Sequence, residues 1–276
     1  MTDKRMPVLF VGHGSPMNAL EDNAFSQGWT ALGRSLPRPK AILAVSAHWY
    51  TSGTFVTADV RPRTIHDFGG FPEELYQIEY PAPGDTDLAE RVLEILGLQS
   101  SALHADRGLD HGTWSVLKWA YPQADVPVVQ LSIDARLDVR EHLELAGQLL
   151  RLRDEGVLVF GSGNITHNLR DAFRRMHSGD LSGPDWSARF DEAVTRCLVE
   201  RDTPGLLGLW PGTEDGRLCH PTPDHWLPLL YVYAAMSRED TVDFPVEGFD
   251  IGLSMRSVLF SPLVLTVGPE GVDSTG

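Results

Sequence analysis

The chain alternates short apolar runs with longer segments in which apolar residues recur every three or four positions. The apolar runs, several of them rich in β-branched residues, predict strands at residues 8–11, 41–46, 54–57, 126–133, 157–160, 255–260 and 263–267. Strands that alternate with helices are typical of α/β proteins. We therefore expect an α/β fold, a single domain with a central, largely parallel or mixed β-sheet flanked by helices.

The helical periodicity predicts the elements that cover this sheet. Asp85 can cap one helix, and a second is expected over residues 139–150. A third is expected at residues 185–201, and a fourth is expected to start with Thr222 as its N-cap. Residues 203–215 are rich in glycine and proline, which predicts an irregular segment.

Length and charge narrow the class of protein. A chain of 276 residues suits one hydrophobic core, so we expect one catalytic domain over residues 1–276, ordered from 6 to 267 with a flexible tail at 268–276. The formal net charge of −15 disfavours nucleic acid and anionic membranes as partners. Neither a membrane span nor a signal peptide is expected, and two cysteines without a CxxC motif predict a reduced, cytoplasmic protein. A homo-oligomer is compatible with the sequence.

Three of the ten histidines follow apolar strands at equivalent places. His13, His48 and His167 each come within a few residues of the end of a predicted strand. A lone histidine at such a place is more often a hydrogen-bonded loop residue than a ligand. Because the carboxyl ends of parallel strands line the ligand crevice of an α/β sheet, three of them predict a site at one rim.

Further residues extend this candidate site. His225 is expected in the first turn of the helix that Thr222 caps. His111 is expected between the end of a loop and the start of a helix. Aromatic residues near the histidine motifs are expected to form a slot for a flat ring. These residues are His66, Phe68, Phe71 and Trp49. His220 is left outside the site, since adjacent residues of a motif seldom face the same ion.

A site built from histidines predicts a transition metal. Neutral imidazoles are common ligands of zinc and iron(II), whereas magnesium and calcium prefer carboxylates. Asp110 and Asp224, next to two of these histidines, can supply charge behind the imidazoles. Neither Ser15 nor Ser162 lies in a G-x-S-x-G motif, which disfavours a serine hydrolase.

Eight short motifs, in order along the chain, resemble the type III extradiol ring-cleavage dioxygenases and within them the 4,5-DOPA dioxygenase extradiol-like subgroup. The motifs occupy residues 12–18, 46–49, 64–72, 80–84, 110–114, 129–134, 162–170 and 221–231. The resemblance implies a non-haem iron(II) enzyme that uses O₂ to cleave the ring of a small, DOPA-like catechol. It also implies metal binding by His13, His48 and His225, a role for His167 as fourth ligand or catalytic base, and a substrate contact or supporting role for His111.

Two alternatives stay open from the sequence. More distant relatives complete the ligand set with a glutamate, and His225 in that place gives an all-histidine site that also suits Zn²⁺. One alternative is therefore a zinc-dependent hydrolase that uses metal-bound hydroxide, with His167 or His111 as proton shuttle. The other is a metal-binding protein without turnover. If a catechol is the substrate, the charge of −15 favours one with an uncharged or zwitterionic side chain.

Overall fold

The computed structural model describes residues 5–180 and 182–263. The strands within these residues are β1 (Val8–Gly12), β2 (Ala41–Thr51), β3 (Val56–Thr57), β4 (Leu103–His104), β5 (Val128–Asp134), β6 (Val157–Gly163), β7 (Thr241–Asp243), β8 (Phe249–Asp250), β9 (Leu253–Ser254) and β10 (Val258–Ser261). The helices are α1 (Ala24–Ser35), α2 (Glu73–Tyr76), α3 (Thr86–Leu96), α4 (His111–Ala120), α5 (Val139–Gly147), α6 (Leu150–Asp154), α7 (Leu169–Ser178), α8 (Asp185–Glu200), α9 (Thr203–Leu209), α10 (Glu214–Cys219) and α11 (Leu227–Ala234).

One mixed sheet organises the described part of the chain. Its eight strands follow the order β4-β3-β5-β2-β6-β1-β10-β7. The four central strands, β5, β2, β6 and β1, are parallel, whereas β10 and β7 add antiparallel pairs at one side. The parallel pairing brings the carboxyl ends of β2, β6 and β1 to the same edge. The predicted α/β fold with a mixed sheet between helices is confirmed.

Helices cover both faces of this sheet, because alternate residues of each strand point to opposite sides. Val8 and Phe10 belong to an apolar cluster with α3, α5, α8 and α11. Leu9 and Val11 belong to a second cluster with α1 and α4. The central strands are therefore buried on both faces, which explains their nearly continuous apolar sequences. None of the described helices is long and apolar enough to span a membrane.

Most helix predictions are confirmed. Asp85 caps α3 by accepting a hydrogen bond from Leu88 N, and α8 matches the helix expected at residues 185–201. The periodic segment from residue 139 to 150 forms two helices, α5 and the start of α6.

Two local predictions are wrong. Most of residues 203–215 is helical rather than irregular, because Asp202 caps α9 and Thr213 caps α10, and these caps outweigh the glycine and proline content. Thr222 does not cap α11, which begins at Leu227. The main-chain N–H groups of Trp226 and Leu227 both donate to Pro223 O, so a turn forms first and His225 lies within it.

Strand boundaries also differ. β3 starts at Val56, β5 at Val128 and β10 at Val258, each later than predicted. Leu263 is not in a strand, and the rest of the strand predicted at 263–267 lies outside the described residues. So does the tail expected at 268–276.

A close contact beside β6 fixes the segment that precedes α11. Asn164 N donates to His225 O at 3.0 Å. A Cβ atom built on Gly163 would overlap the same carbonyl oxygen. Only glycine at position 163 therefore lets the chain around His225 lie directly against the end of β6.

Replacing Gly163 with alanine should push this segment away from β6. We expect the free energy of unfolding to fall by about 1–3 kcal/mol, the usual cost of overpacking a filled site, measured by urea denaturation. Gly208→Ala is the matched control, because a Cβ there meets nothing within 4 Å and lies in helix α9. Equal stability of both variants would show that the close approach is not required.

Candidate metal centre

Three imidazoles converge at the carboxyl edge of the sheet. His13 follows β1, His48 lies near the end of β2, and His225 occupies the turn before α11. One ring nitrogen of each lies within 4.8 Å of the others. Their ring centroids form a nearly equilateral triangle, with separations of 5.0 Å, 5.1 Å and 5.2 Å. This arrangement surrounds one central point.

An irregularity in β2 contributes to this convergence. The register between β2 and β5 shifts between Val45 and Tyr50, and His48 lies inside that stretch. Such irregularities re-aim side chains and are common beside functional sites.

The spacing of two nitrogens matches a shared ion. His13 Nε2 and His48 Nε2 are 3.1 Å apart. Two nitrogens bound to one ion at about 2.0–2.2 Å stand roughly 3–3.5 Å apart for bond angles near 90–110°. The donor set and its spacing therefore fit a transition metal held by neutral imidazoles.

Hydrogen bonds decide which nitrogen His13 presents. His13 Nδ1 lies 2.9 Å from Ser162 Oγ, and that hydroxyl donates to Gly112 O at 2.5 Å. Because the only hydroxyl proton is used on the carbonyl, Ser162 Oγ accepts from His13 Nδ1–H. The lone pair of His13 is then on Nε2, toward the centre of the triangle.

A carboxylate has the same effect on His225. Asp224 Oδ2 lies 2.5 Å from His225 Nδ1 and accepts its proton. This is the carboxylate–histidine arrangement that orients metal-ligating imidazoles and raises their basicity. It leaves His225 Nε2 with a free lone pair.

The first turn of α4 lies against the cluster. A Cβ atom on Gly112 would stand 2.6 Å from Ser46 Oγ and 2.9 Å from His48 Cδ2, so no larger residue fits there. Asp110, fully buried as the N-cap of α4, accepts hydrogen bonds from Ser46 Oγ and Gln130 Nε2, both at 2.7 Å. Asp110 thereby ties α4 to β2 and β5 around the site.

His111 and Asp67 form the side of the site next to His48. The ring centroids of His111 and His48 are 3.9 Å apart. Asp67 Oδ1 accepts from His111 N at 2.9 Å and from His111 Nδ1 at 3.0 Å. Burial raises the pKa of Asp67, but the hydrogen bond and charge of His111 and the charge of His48 outweigh it and bring that pKa to about 2. Asp67 is therefore an ionised acceptor at neutral pH.

His167 stacks face to face on His225. The ring centroids are 3.4 Å apart and the planes differ by 4°. Within the described residues, two groups of three side chains have ligand atoms that all lie within 4.8 Å of one another: His13, His48 and His225, and His48, Asp67 and His111. Neither group includes His167, whose role as ligand or base stays a prediction from the sequence.

Most of the predicted aromatic slot is assembled beside His111. The Phe68 ring meets the His111 ring edge-on at 5.4 Å. Phe71 packs edge-on against Phe68 at 5.4 Å, and His66 does so at 5.8 Å. His66 Nε2 donates to Ile78 O, which fixes its ring.

Trp49 lies elsewhere. It extends toward β4, where its ring meets His104 at 6.1 Å and lies under the Arg107 guanidinium at 5.2 Å. Only 6% of Trp49 is exposed. Trp49 is thus set apart from Phe68, Phe71 and His66, and its substrate contact stays a prediction from the sequence. His220, which the sequence left outside the site, is buried and donates to Ile165 O.

Sequence analysis missed two supporting residues. Ser162 lies in no nucleophile motif, and Asp67 stands between His66 and Phe68, so neither residue carries a local signal for a role at the site. The signal for both was their position within histidine motifs that the fold brings together, which becomes evident only when the strand order is known.

Burial keeps the imidazoles neutral. It is the main reason that the pKa values of His13 and His225 lie well below the ordinary value of 6.5, with the charges of neighbouring histidines adding to it. Burial likewise lowers the pKa of His48 and of His167 to about 4. At pH 7 these rings are therefore neutral. Each has one nitrogen without a proton, which is free to bind a metal.

Comparisons with known proteins identify the family of this chain. The family model described as the catalytic LigB subunit of aromatic ring-opening dioxygenase matches residues 7–253. The 4,5-DOPA dioxygenase extradiol of Escherichia coli K12 is 48% identical over 94% of this chain and 96% of that protein. The enzyme of the same name from Beta vulgaris is 36% identical over 91% of this chain and 94% of that protein. A crystal structure of an uncharacterized protein from Escherichia coli K12 superimposes with a TM-score of 0.78 and 44% identity, covering 92% of this chain and 99% of that one.

The lowered pKa values predict how the metal-free protein responds to acid. Unfolded His48 and His167 bind protons near pH 6.5, whereas the folded forms do so near 4, so stability falls as pH drops between these values. The loss at the acid end is roughly 3 kcal/mol per histidine. Urea denaturation of chelator-treated protein from pH 7 to 4 measures it.

The double variant His48→Gln with His167→Gln should show a shallower loss of stability. Exposed His177→Gln is the matched control for removal of an imidazole. An unchanged pH dependence in the double variant would contradict the assigned pKa values.

Proposed function

Because the chain belongs to the LigB family of aromatic ring-opening dioxygenases and is an extradiol ring-cleavage enzyme, we propose that it binds iron(II) through His13, His48 and His225 and cleaves a small, DOPA-like catechol. The observation that supports this ligand set is the 3.1 Å separation of His13 Nε2 and His48 Nε2. Hydrogen bonds to Ser162 and Asp224 keep the lone pairs of His13 and His225 directed at the same point.

Iron(II) rather than zinc is the proposed ion. Zinc has no redox chemistry with which to activate oxygen, whereas bound iron(II) supplies a centre at which catecholate oxygens and O₂ can react. Three neutral imidazoles leave the positive charge of the ion intact, which favours a deprotonated catechol. Asp224, hydrogen-bonded to His225, places a carboxylate behind one of the proposed ligands.

Two residues are proposed to handle the catechol protons. A catechol loses protons when both of its oxygens bind a metal, and the unprotonated nitrogen of a neutral imidazole beside them can receive one. His167 is neutral and lies against His225. His111 has its Nδ1 engaged by Asp67, so its Nε2 remains for contact with the substrate.

The aromatic side of the site is proposed to hold the ring. Phe68 and Phe71 belong to the loop that packs against His111, and His66 packs against Phe68. The net charge of −15 favours a catechol with an uncharged or zwitterionic side chain over an anionic one. Cytoplasmic location and homo-oligomerisation remain predictions from the sequence.

Membership of the family favours the dioxygenase over the zinc hydrolase and over metal binding without turnover. The decisive assay uses protein reconstituted anaerobically with iron(II) and then offered a panel of catechols. We expect oxygen uptake and a yellow ring-opened product with at least one uncharged or zwitterionic catechol. Zinc-loaded protein and the folded variant His48→Ala should take up none.

A 1,3-dihydroxybenzene of the same side chain is the control, since its oxygens cannot both bind one ion. No oxygen uptake across the panel, with ester or amide hydrolysis by the zinc form, would favour the hydrolase.

His167→Ala separates the two roles open to this residue. If His167 is the base, metal content is retained and turnover falls by about 10² or more, the usual contribution of general-base catalysis. If His167 is a ligand, metal content falls with activity. Exposed His177→Ala in α7 is the control. Unchanged turnover with full metal content would remove His167 from the site.

A further inference from the structure

Asp67 contacts two histidines of the site with its two carboxylate oxygens. Oδ1 accepts from the main-chain N and from Nδ1 of His111, at 2.9 Å and 3.0 Å. Oδ2 lies 3.4 Å from Nδ1 of His48. The side chain of Asp67 is 22% exposed, so it forms part of the wall between the site and solvent.

The contacts of Asp67 favour one tautomer of each ring. An ionised carboxylate can only accept hydrogen bonds, so each Nδ1 that faces it favours a bound proton. A neutral imidazole with a proton on Nδ1 carries its lone pair on Nε2. His48 Nε2 is the atom that faces His13 Nε2 at 3.1 Å.

Asp67 also anchors the loop that carries the aromatic wall. Phe68 follows it directly and packs edge-on against His111 at 5.4 Å. Two glycines, Gly69 and Gly70, come next, and a Cβ atom on either would meet nothing within 4 Å. The hydrogen bonds of Asp67 therefore hold the loop to His111 at the residue before Phe68.

We propose that Asp67 is a positioning residue that joins a metal ligand to a substrate-side histidine. It holds His48 and His111 with protons on Nδ1, so that His48 presents Nε2 to the metal and His111 presents Nε2 to the catechol. This inference rests on the proposed function for the identity of the ion and the substrate, but its tests need no turnover.

A second ion is the competing explanation for this arrangement. One ligand atom each from His48, Asp67 and His111 lies within 4.8 Å of the others, so the three form a second group with metal-ligand chemistry. An ion there would replace the Nδ1 protons, and His48 would bridge two ions. Our proposal predicts one zinc ion per chain at saturation, measured by elemental analysis, and two ions would overturn it.

Asp67→Asn is the sharpest variant because it keeps the shape of the side chain. The main-chain N–H of His111 can only donate, so the amide oxygen of the new residue should face His111. Its NH₂ group then faces the Nδ1–H of His48, so that two hydrogen-bond donors face each other. We expect zinc affinity, measured by chelator competition, to fall 10–100-fold, the usual effect of removing a carboxylate that supports a metal-binding histidine.

Comparing Asp67→Ala with Asp67→Asn distinguishes the proposed role from a purely structural one. A purely structural role predicts that the isosteric Asp67→Asn is the milder change. The proposal predicts that Asp67→Asn weakens zinc binding at least as much as Asp67→Ala does. Exposed Asp106→Asn, with the same change of charge, is the control and should leave zinc affinity within about twofold of the wild-type value.

The tautomer of His111 gives a second readout. In zinc-loaded protein labelled with ¹⁵N-histidine, long-range ¹H–¹⁵N correlation spectra should show the proton of His111 on Nδ1, with the signal assigned by its loss in His111→Gln. Asp67→Asn should keep this tautomer, and Asp67→Ala should lose it.

Three results overturn the inference: a His111 proton on Nε2 in the wild-type protein, Asp67→Asn binding zinc as tightly as Asp106→Asn, or two ions per chain. The first and third need no Asp67 variant, so they decide the question even if the variants do not fold. The proposed function fails separately, if iron-loaded wild-type protein consumes no oxygen with any catechol.

Discussion

An imidazole gives a metal one lone pair, and that lone pair is on the intended nitrogen only if a hydrogen bond holds the proton on the other. The whole site depends on this constraint. Each of the three converging histidines has an oxygen opposite its Nδ1: Ser162 for His13, Asp67 for His48 and Asp224 for His225. Without these oxygens, either ring nitrogen can carry the proton, and the three Nε2 atoms are not reserved for an ion.

The fold supplies these oxygens from different elements. Ser162 belongs to β6, which lies between β1 and β2 in the sheet, so its hydroxyl reaches the ring that follows β1. Asp67 comes from the loop that also carries the aromatic wall, and Asp224 is the immediate neighbour of the ring it holds. Glycine at positions 112 and 163 lets α4 and the turn before α11 approach closely enough for these contacts.

Local sequence was sufficient for the sheet and for the histidines that gather at its edge, because strand-end position alone brings His13 and His48 to one rim. It was not sufficient where the contact partner is remote. Ser162 and His13 are 149 residues apart, and their pairing follows from a strand order that no local pattern encodes. Composition misled at residues 203–215, where two side-chain caps outweigh glycine and proline. Trp49 illustrates the same limit, since it follows His48 in sequence but extends toward β4 instead of toward the converging histidines.

The most direct test of the account is anomalous diffraction from crystals of iron(II)-loaded protein, grown anaerobically and measured on both sides of the iron absorption edge. The account predicts one iron peak per chain, about 2.0–2.2 Å from Nε2 of His13, His48 and His225. A peak between His48, Asp67 and His111, or a peak bound through Nδ1 of any of the three ligands, would contradict it.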